Sequence, residues 1–246
     1  MKNFLIIGFI CLMSATASAG ETRIYQVGDE TFEGYHATPL SASKGLVLVI
    51  HDWDGLTDYE IRRADMLASL GYEAFAVDLY GAGNRPEETA AKKAETGRLY
   101  KDRQRMRTLI LGGLAAARGG VNKRAVIMGY CFGGAATLEL ARSMKAENIA
   151  GYATFHGGLA TPEGQSYKSD TPPVLIAHGG ADKAIPMSDV AALADTLEAA
   201  GVTYEIQVYS GAPHAFTVFD SPRYQDVADQ KSWQAFTDFL NTNLVN

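Results

Sequence analysis

Short, uninterrupted apolar runs alternate along this chain with longer segments of helical periodicity. Residues 45–50, 74–77, 125–128 and 174–177 read Gly-Leu-Val-Leu-Val-Ile, Ala-Phe-Ala-Val, Ala-Val-Ile-Met and Val-Leu-Ile-Ala. A strand that is apolar on both faces must be covered on both faces, which is typical of a parallel sheet between two layers of helices. The alternation therefore predicts an α/β fold with a mostly parallel central sheet flanked by helices.

The segments between and around these runs complete the predicted fold. We expect an edge hairpin over residues 22–39 that turns at Gly28 and Asp29. Residues 86–118 are polar and helical, and we expect two helices there that break near Gly97. Further helices are predicted over 58–69, 133–144, 188–200 and 224–240, and further strands over 150–155 and 204–209. Because no repeat, low-complexity run or linker divides the chain, residues 20–246 are expected to form one domain.

The N-terminal segment has the three parts of a secretory signal peptide. A lysine at position 2 precedes a mostly apolar stretch over residues 4–13, which leads to Ala-Ser-Ala at 17–19. Cleavage after Ala19 would leave Gly20 as the first residue of a periplasmic or secreted protein. A buried N-terminal helix and an uncleaved anchor are the alternatives, although the apolar stretch is too short to span a bilayer.

Charge and cysteine content narrow the classes of function. The net charge is −6 and no basic cluster is present, so nucleic acid is not an expected partner. No segment after residue 19 is apolar enough to place the mature chain in a membrane, and we expect a monomer or a weak homodimer. The two cysteines are Cys11 and Cys131, and signal cleavage leaves Cys131 alone. A lone thiol in an exported protein indicates a reactive group or an intermolecular link.

Cys131 lies in the sequence Gly-Tyr-Cys-Phe-Gly-Gly at residues 129–134, between a predicted strand and a predicted helix. This is the nucleophile-elbow pattern G-x-Nu-x-G, in which a sharp turn exposes the nucleophile and only small neighbours fit beside it. The N-terminus of the following helix favours a thiolate. A buried, unreactive cysteine is the alternative, but it gives no reason for the flanking glycines.

Polar residues follow the predicted strands at the edge where reactive groups of parallel sheets gather. These residues lie in five segments: 51–55, 78–81, 129–134, 178–182 and 211–216. Three of the segments supply Cys131, Asp182 and His214, in that chain order. Nucleophile, acid and histidine occur in the same order in α/β-hydrolases.

Each of these three residues has a predicted chemical role. Cys131 would attack an acyl carbon and form a thioester, while His214 would take the thiol proton and return it to the leaving group. Asp182 would orient the imidazole, unless it only forms a turn or caps a helix. The competing histidines, which also end strands, are His51, His156 and His178; His36 lies in the hairpin and is expected to be structural or exposed.

Three further residues complete the predicted site: Phe132, Trp53 and Asp52. Backbone N–H groups of Phe132 and Trp53 would form an oxyanion hole, although Trp53 could instead cover the pocket with its side chain. Asp52 is open to two interpretations. It would accept the thiol proton or bind substrate, or else it would pair with an arginine or cap the next helix.

These motifs together resemble the dienelactone hydrolase family of α/β-hydrolases over residues 35–240. The resemblance rests on residues 51–56, 71–72, 78–81, 129–134, 155–158, 178–182 and 214–216. It implies the α/β-hydrolase fold, a triad of Cys131, Asp182 and His214, and hydrolysis of small carboxylic esters or lactones without a metal or cofactor.

The chain departs from the family pattern at three positions. Asp52 stands where dienelactone hydrolases carry a glutamate that pairs with the resting thiol. The two arginines that hold the substrate carboxylate in those enzymes are replaced by Ala82 and Val218. Arg85 is the nearby candidate for substrate binding, and Arg223 lies farther along. We therefore expect short neutral esters to be cleaved at least as well as a carboxylated lactone.

Two other classes of function remain open from the sequence. A non-catalytic binding protein could keep this fold, but it has no need for Cys131, Asp182 and His214 at the correct strand ends. A thiol redox protein would need a second cysteine to resolve a disulfide, and the mature chain offers none.

Overall fold

The structure, a computed structural model, describes residues 20–245. The predicted signal peptide and its cleavage after Ala19 lie outside the described residues. None of the described helices is both long and apolar enough to cross a membrane.

The described strands form one sheet of eight, in the order β1-β2-β4-β3-β5-β6-β7-β8. The strands are β1 (Glu21–Val27), β2 (Glu30–Ala37), β3 (Leu46–Ile50), β4 (Glu73–Val77), β5 (Ala125–Tyr130), β6 (Ile149–Phe155), β7 (Val174–Gly179) and β8 (Tyr204–Tyr209). The β1–β2 and β2–β4 pairs are antiparallel, and every other pair is parallel. The predicted α/β fold with a mostly parallel sheet is confirmed, as is the N-terminal edge hairpin.

Helices cover both faces of this sheet. They are α1 (Asp58–Ser69), α2 (Thr89–Lys101), α3 (Arg103–Arg118), α4 (Phe132–Ser143), α5 (Met187–Ala200) and α6 (Asp226–Asn243). Apolar side chains of α2, α3, α4 and α5 belong to one core, and those of α1 and α6 belong to the other. The central strands β3, β4, β5 and β7 are buried along their whole length, which explains their uninterrupted apolar sequences.

The helical stretch between β4 and β5 breaks at Asp102, and the predicted break near Gly97 is wrong. Gly97 lies inside α2, where a single glycine costs only about 1 kcal/mol relative to alanine. Asp102 has non-helical dihedrals (φ −114°, ψ 78°), and its side chain accepts a 2.9 Å hydrogen bond from the N–H of Arg105. A side-chain cap of this kind ends one helix and starts the next.

The start of α4 packs directly against the end of β3. A methyl group on Gly133 would lie 2.3 Å from the carbonyl oxygen of Ile50 and 2.5 Å from that of His51. A methyl group on Gly129 would lie 2.3 Å from the backbone of Gly133. The elbow glycines are therefore required because backbone meets backbone there, and this close approach fixes the position of the residue between them.

The elbow predicts a large difference between two glycine-to-alanine substitutions. Gly133→Ala should lower the free energy of unfolding by about 2–3 kcal/mol, because neither carbonyl can move away without disturbing β3. Gly97→Ala is the matched control: its methyl group meets nothing within 4 Å, and it should raise stability by up to about 1 kcal/mol. Urea denaturation of both variants measures the difference, and equal effects would contradict this account.

Candidate active site

Cys131 is a free cysteine at the apex of the turn from β5 into α4. Its φ of 49° and ψ of −110° place a non-glycine residue at positive φ, which costs on the order of 1–3 kcal/mol. A 3.0 Å hydrogen bond from its N–H to the carbonyl of Phe155 ties the turn to β6. The strained turn directs the thiol toward the carboxyl ends of the strands.

The structure brings the three predicted catalytic residues into one chain of hydrogen bonds. His214 Nε2 lies 3.1 Å from Cys131 Sγ, and His214 Nδ1 lies 2.8 Å from Asp182 Oδ2. The other carboxylate oxygen of Asp182 accepts 2.8 and 2.9 Å bonds from the N–H groups of Ala184 and Ile185. Burial raises the pKa of Asp182, but the hydrogen bonds from His214 and from this backbone outweigh it and hold the pKa below its ordinary value. Asp182 is therefore an ionised acceptor for the imidazole.

The resting thiol is protonated. Burial, followed by the nearby charge of Asp52, raises the pKa of Cys131 to about 12, against a hydrogen bond from the N–H of Phe132 that lowers it. The helix N-terminus alone does not produce a thiolate, because the removal of water from around the sulfur dominates. A base must take the proton when the thiol attacks, and His214 is in position to do so.

His51 connects two of the strand-end loops. Its Nε2 accepts a 3.2 Å hydrogen bond from the N–H of Leu79, so Nδ1 carries the proton and donates to the carbonyl of Asp52 at 2.6 Å. Burial lowers the pKa of His51, which keeps the ring neutral. This histidine fixes the loop that carries Asp52 and Trp53 rather than facing the thiol.

The other histidines also lie away from the thiol. His178 Nε2 donates to the carbonyl of Ile185 at 3.1 Å, just beyond Asp182. His36 pairs with Glu73 at 2.8 Å, on the hairpin side of the sheet. His156 is buried behind His214, and the centroids of the two rings are 5.2 Å apart.

The two predicted oxyanion donors come from the first residue of α4 and from the loop after β3. Phe132 is the first residue of α4, and its N–H points at the sulfur of Cys131. The carbonyl of Trp53 accepts a 3.1 Å hydrogen bond from Tyr80 Oη, and Lys92 lies 5.5 Å above the indole ring. Within residues 20–245 no hydrogen bond occupies the N–H of Trp53. That N–H is free to donate to a bound oxygen.

Asp52 is a buried acid that ionises less readily than a carboxyl group in water. Its Oδ1 accepts a 3.1 Å bond from the N–H of Asp54, and its own N–H donates to Glu60 at 3.3 Å. Burial raises the pKa of Asp52 well above its ordinary value, and Asp54 and Glu60 add to this. The expected helix-capping alternative does not apply, because Thr57 and Glu60 cap α1. Asp52 acts electrostatically on the thiol of Cys131.

The guanidinium of Arg85 contacts groups of the protein itself. Its Nη1 donates to the carbonyl of Asn84 at 2.9 Å and lies 3.4 Å from the buried carboxylate of Asp78. Nη2 donates to the carbonyl of Glu33 at 3.4 Å. The guanidinium is held by the hairpin and the end of β4, and its contact with a substrate stays a prediction.

Sequence reasoning underrated two residues near the thiol. The positive charge of Arg223 lowers the pKa of Cys131, and the side chain is exposed. Tyr100 on α2 places its ring against Phe132 in a T-shaped contact with centroids 5.4 Å apart. Burial raises the pKa of the Tyr100 hydroxyl, and the thiolate form of Cys131 would raise it further. Helical periodicity in residues 86–118 gave no sign that Tyr100 faces the site, because α2 is placed there by packing.

The described residues offer no cluster of side chains suited to a metal ion. Within residues 20–245 no group of three or more His, Cys, Asp or Glu side chains is arranged to hold a metal ion.

Comparison with known proteins gives a consistent picture. A family model described as the dienelactone hydrolase family matches residues 32–244. A relative from Salmonella typhimurium, named "Putative carboxymethylenebutenolidase", is 31% identical over 236 residues, covering 91% of this chain and 87% of its own. A relative of the same name from Escherichia coli strain K12 is 30% identical over 236 residues, covering 90% and 86%.

A solved structure extends this similarity to three dimensions. The crystal structure of a dienelactone hydrolase-like promiscuous phosphotriesterase from metagenomic libraries superposes with a TM-score of 0.82 at 26% identity. The match covers 91% of this chain and 98% of that one. The predicted α/β-hydrolase fold is confirmed.

The protonated thiol predicts a distinctive alkylation profile. Because its pKa is raised, the reactive thiolate fraction of Cys131 grows as pH rises toward about 12. Labelling by iodoacetamide should be slow at neutral pH and should increase about tenfold per pH unit between 7 and 10. Mass spectrometry of the peptide that carries Cys131 measures the rate, with the urea-unfolded chain as control. A rate that is already independent of pH near neutrality would contradict a protonated resting thiol.

Proposed function

The chain belongs to the dienelactone hydrolase family and is a carboxylic ester hydrolase, and on that premise we propose that it cleaves small esters or lactones through a thioester on Cys131. The observation that carries this proposal is the unbroken hydrogen-bonded chain from Asp182 through His214 to the thiol. The matched relatives bear the name of carboxymethylenebutenolidases, which supports a lactone as one substrate type.

In the proposed acylation step, Cys131 Sγ attacks the carbonyl carbon of the ester as His214 Nε2 takes the thiol proton. The ionised Asp182 stabilises the imidazolium that forms. The carbonyl oxygen becomes an oxyanion between the N–H groups of Phe132 and Trp53, and loss of one such donor typically costs about 10²–10³ in kcat. When the C–O bond breaks, His214 returns the proton to the leaving alkoxide.

In the proposed deacylation step, His214 activates a water molecule that attacks the thioester carbon. The second tetrahedral intermediate collapses, the carboxylic acid leaves, and the proton returns to the sulfur of Cys131. With a lactone, the hydroxyl freed in the first step remains part of the acyl group, so deacylation releases a single ring-opened hydroxy acid. Since the resting thiol is protonated, the cycle begins and ends with an uncharged nucleophile.

The alternatives have less support. A non-catalytic binding protein would not require the strained turn at Cys131, which costs stability without a structural return. A thiol redox protein would require a second thiol near the first, and no other cysteine lies within residues 20–245. Export to the periplasm or beyond remains part of the proposal and rests on the signal-like sequence of residues 1–19.

The positive charge nearest the thiol bears on whether neutral or anionic substrates are preferred. With Ala82 and Val218 in place of arginines and Arg85 bound elsewhere, Arg223 is the cation that acts on Cys131. An exposed guanidinium contributes less than a buried bidentate pair, because water screens it. We therefore propose that neutral esters are good substrates and that Arg223 supplies a modest preference for anionic ones.

Substitution of the three hydrogen-bonded residues tests the mechanism. Cys131→Ala should abolish turnover, and His214→Ala or Asp182→Ala should lower kcat by about 10²–10⁴. Double variants should lose little more than single ones, because the residues act as a unit. The rate of p-nitrophenyl acetate hydrolysis measures kcat for each variant. The thermal midpoint of each variant is the control for folding. Full activity in folded Cys131→Ala would overturn the proposal.

Substrate charge can be tested with two arginine variants. Arg223→Gln should lower kcat/KM for a carboxylated lactone about 5–10-fold more than for a neutral ester, as expected of a solvent-screened contact worth about 1 kcal/mol. Arg85→Gln is the matched control, and it should leave the ratio between the two substrates unchanged. A ratio of the two kcat/KM values that changes in Arg85→Gln and stays the same in Arg223→Gln would contradict this proposal.

A further inference from the structure

A chain of buried polar groups runs from α1 to the histidine behind the predicted base. Arg63 Nε donates to Tyr59 Oη at 3.4 Å, and Tyr59 Oη lies 2.6 Å from Thr217 Oγ1. Thr217 Oγ1 in turn lies 2.8 Å from His156 Nε2. No step of the proposed reaction uses this chain, yet Thr217 lies only three residues beyond His214 on the same loop.

The far end of this chain is a permanent positive charge in an apolar setting. The side chain of Arg63 is 1% exposed, pairs with Asp229 and donates to the carbonyl of Thr217 at 2.8 Å. Aromatic rings surround the guanidinium, with centroids between 4.2 and 5.7 Å away: Tyr59, Tyr130, Phe219 and Trp233. Arg63 thus fixes both the backbone of the loop and the start of the chain.

The Thr217 hydroxyl is the polar contact that holds the His156 ring. Nε2 of that ring lies against Thr217 Oγ1, whereas Nδ1 is buried and has no hydrogen-bond partner within residues 20–245. Thr217 is itself held by the phenol of Tyr59, which accepts from Arg63 because a guanidinium only donates. Removal of the hydroxyl would therefore leave both ring nitrogens of His156 without a side-chain partner.

His156 packs against His214 with its ring at 67° and 5.2 Å between centroids. Burial, followed by the charge of His214, lowers the pKa of His156 well below its ordinary value; Asp182 opposes this and Arg63 adds to it. The predicted base thus has a neutral imidazole beside it when it becomes an imidazolium, so no second positive charge repels it.

We infer that Thr217 is a positioning residue for hydrolysis. Its hydroxyl holds His156 in one orientation and one neutral tautomer, and the ring of His156 keeps the His214 imidazole within reach of the thiol. The kinetic part of this inference rests on the proposed function, whereas the tautomer of His156 does not.

The test compares variants of one hydroxyl. Thr217→Val removes the hydroxyl at nearly constant volume, and Thr217→Ser keeps it. Thr137→Val is the matched control, because Thr137 is also fully buried on α4 and its hydroxyl has no partner among the described residues. Steady-state kinetics on p-nitrophenyl acetate and ¹⁵N spectra of histidine-labelled protein are recorded for each.

We expect wild-type His156 to give the ¹⁵N signature of a neutral imidazole in a single tautomer. Thr217→Val should lose that signature and lower kcat about 5–20-fold, with KM changed less than about twofold. Thr217→Ser should restore both, and Thr137→Val should match wild type in both. Where Thr217→Val does not fold, Thr217→Ala replaces it with the same expectation.

Two results would overturn the inference. One is a wild-type His156 that gives a mixture of both tautomers or a charged ring at neutral pH, and the other is a Thr217→Val or Thr217→Ala protein that folds and keeps the wild-type kcat. Failure of the proposed function is distinguishable from either, because it appears as turnover in Cys131→Ala while the tautomer of His156 stays as expected.

Discussion

The contact of backbone with backbone at the start of α4 is the constraint on which the rest of the structure depends. Gly133 lies so close to the carbonyls of Ile50 and His51 that no side chain fits between the helix and β3. Cys131 lies in the turn just before this contact and adopts a positive φ there. The turn that carries the predicted nucleophile is therefore set by a steric requirement at Gly133, in addition to its hydrogen bonds.

Around that turn the protein keeps most ionisable groups neutral. The thiol of Cys131, the carboxyl of Asp52 and the ring of His156 all have their pKa moved toward the uncharged form, with burial as the leading cause in each case. The pKa of Asp182 moves the other way, because a histidine and two backbone N–H groups stabilise its charge. Charge that develops during attack is thus met by the Asp182 carboxylate and by N–H dipoles, in a site where water screens little.

The departures from the family pattern are consistent with this arrangement. A buried arginine beside the thiol would lower its pKa, whereas this chain has Ala82 and Val218 at those two positions and an exposed Arg223 instead. Arg85 and Arg63 serve the scaffold: one holds the hairpin to β4, and the other holds the loop after His214 to α1. The role of each arginine therefore depends on where the fold places it, and not on how near it lies in the sequence to a catalytic residue.

The sequence by itself determined the mostly parallel sheet, the turn at Cys131 and the chain order of Cys131, Asp182 and His214. These features are local, because continuous apolar runs, flanking glycines and strand-end loops can be read within a few residues. Tertiary structure alone decided the protonated thiol, the partners of Arg85, and the chain from Arg63 to Thr217, whose ends are 154 residues apart. Burial and long-range contacts set these properties, and neither can be read from a short stretch of sequence. The helix break at Asp102 is also a local feature, but a side-chain cap produces it, and the glycine at position 97 does not.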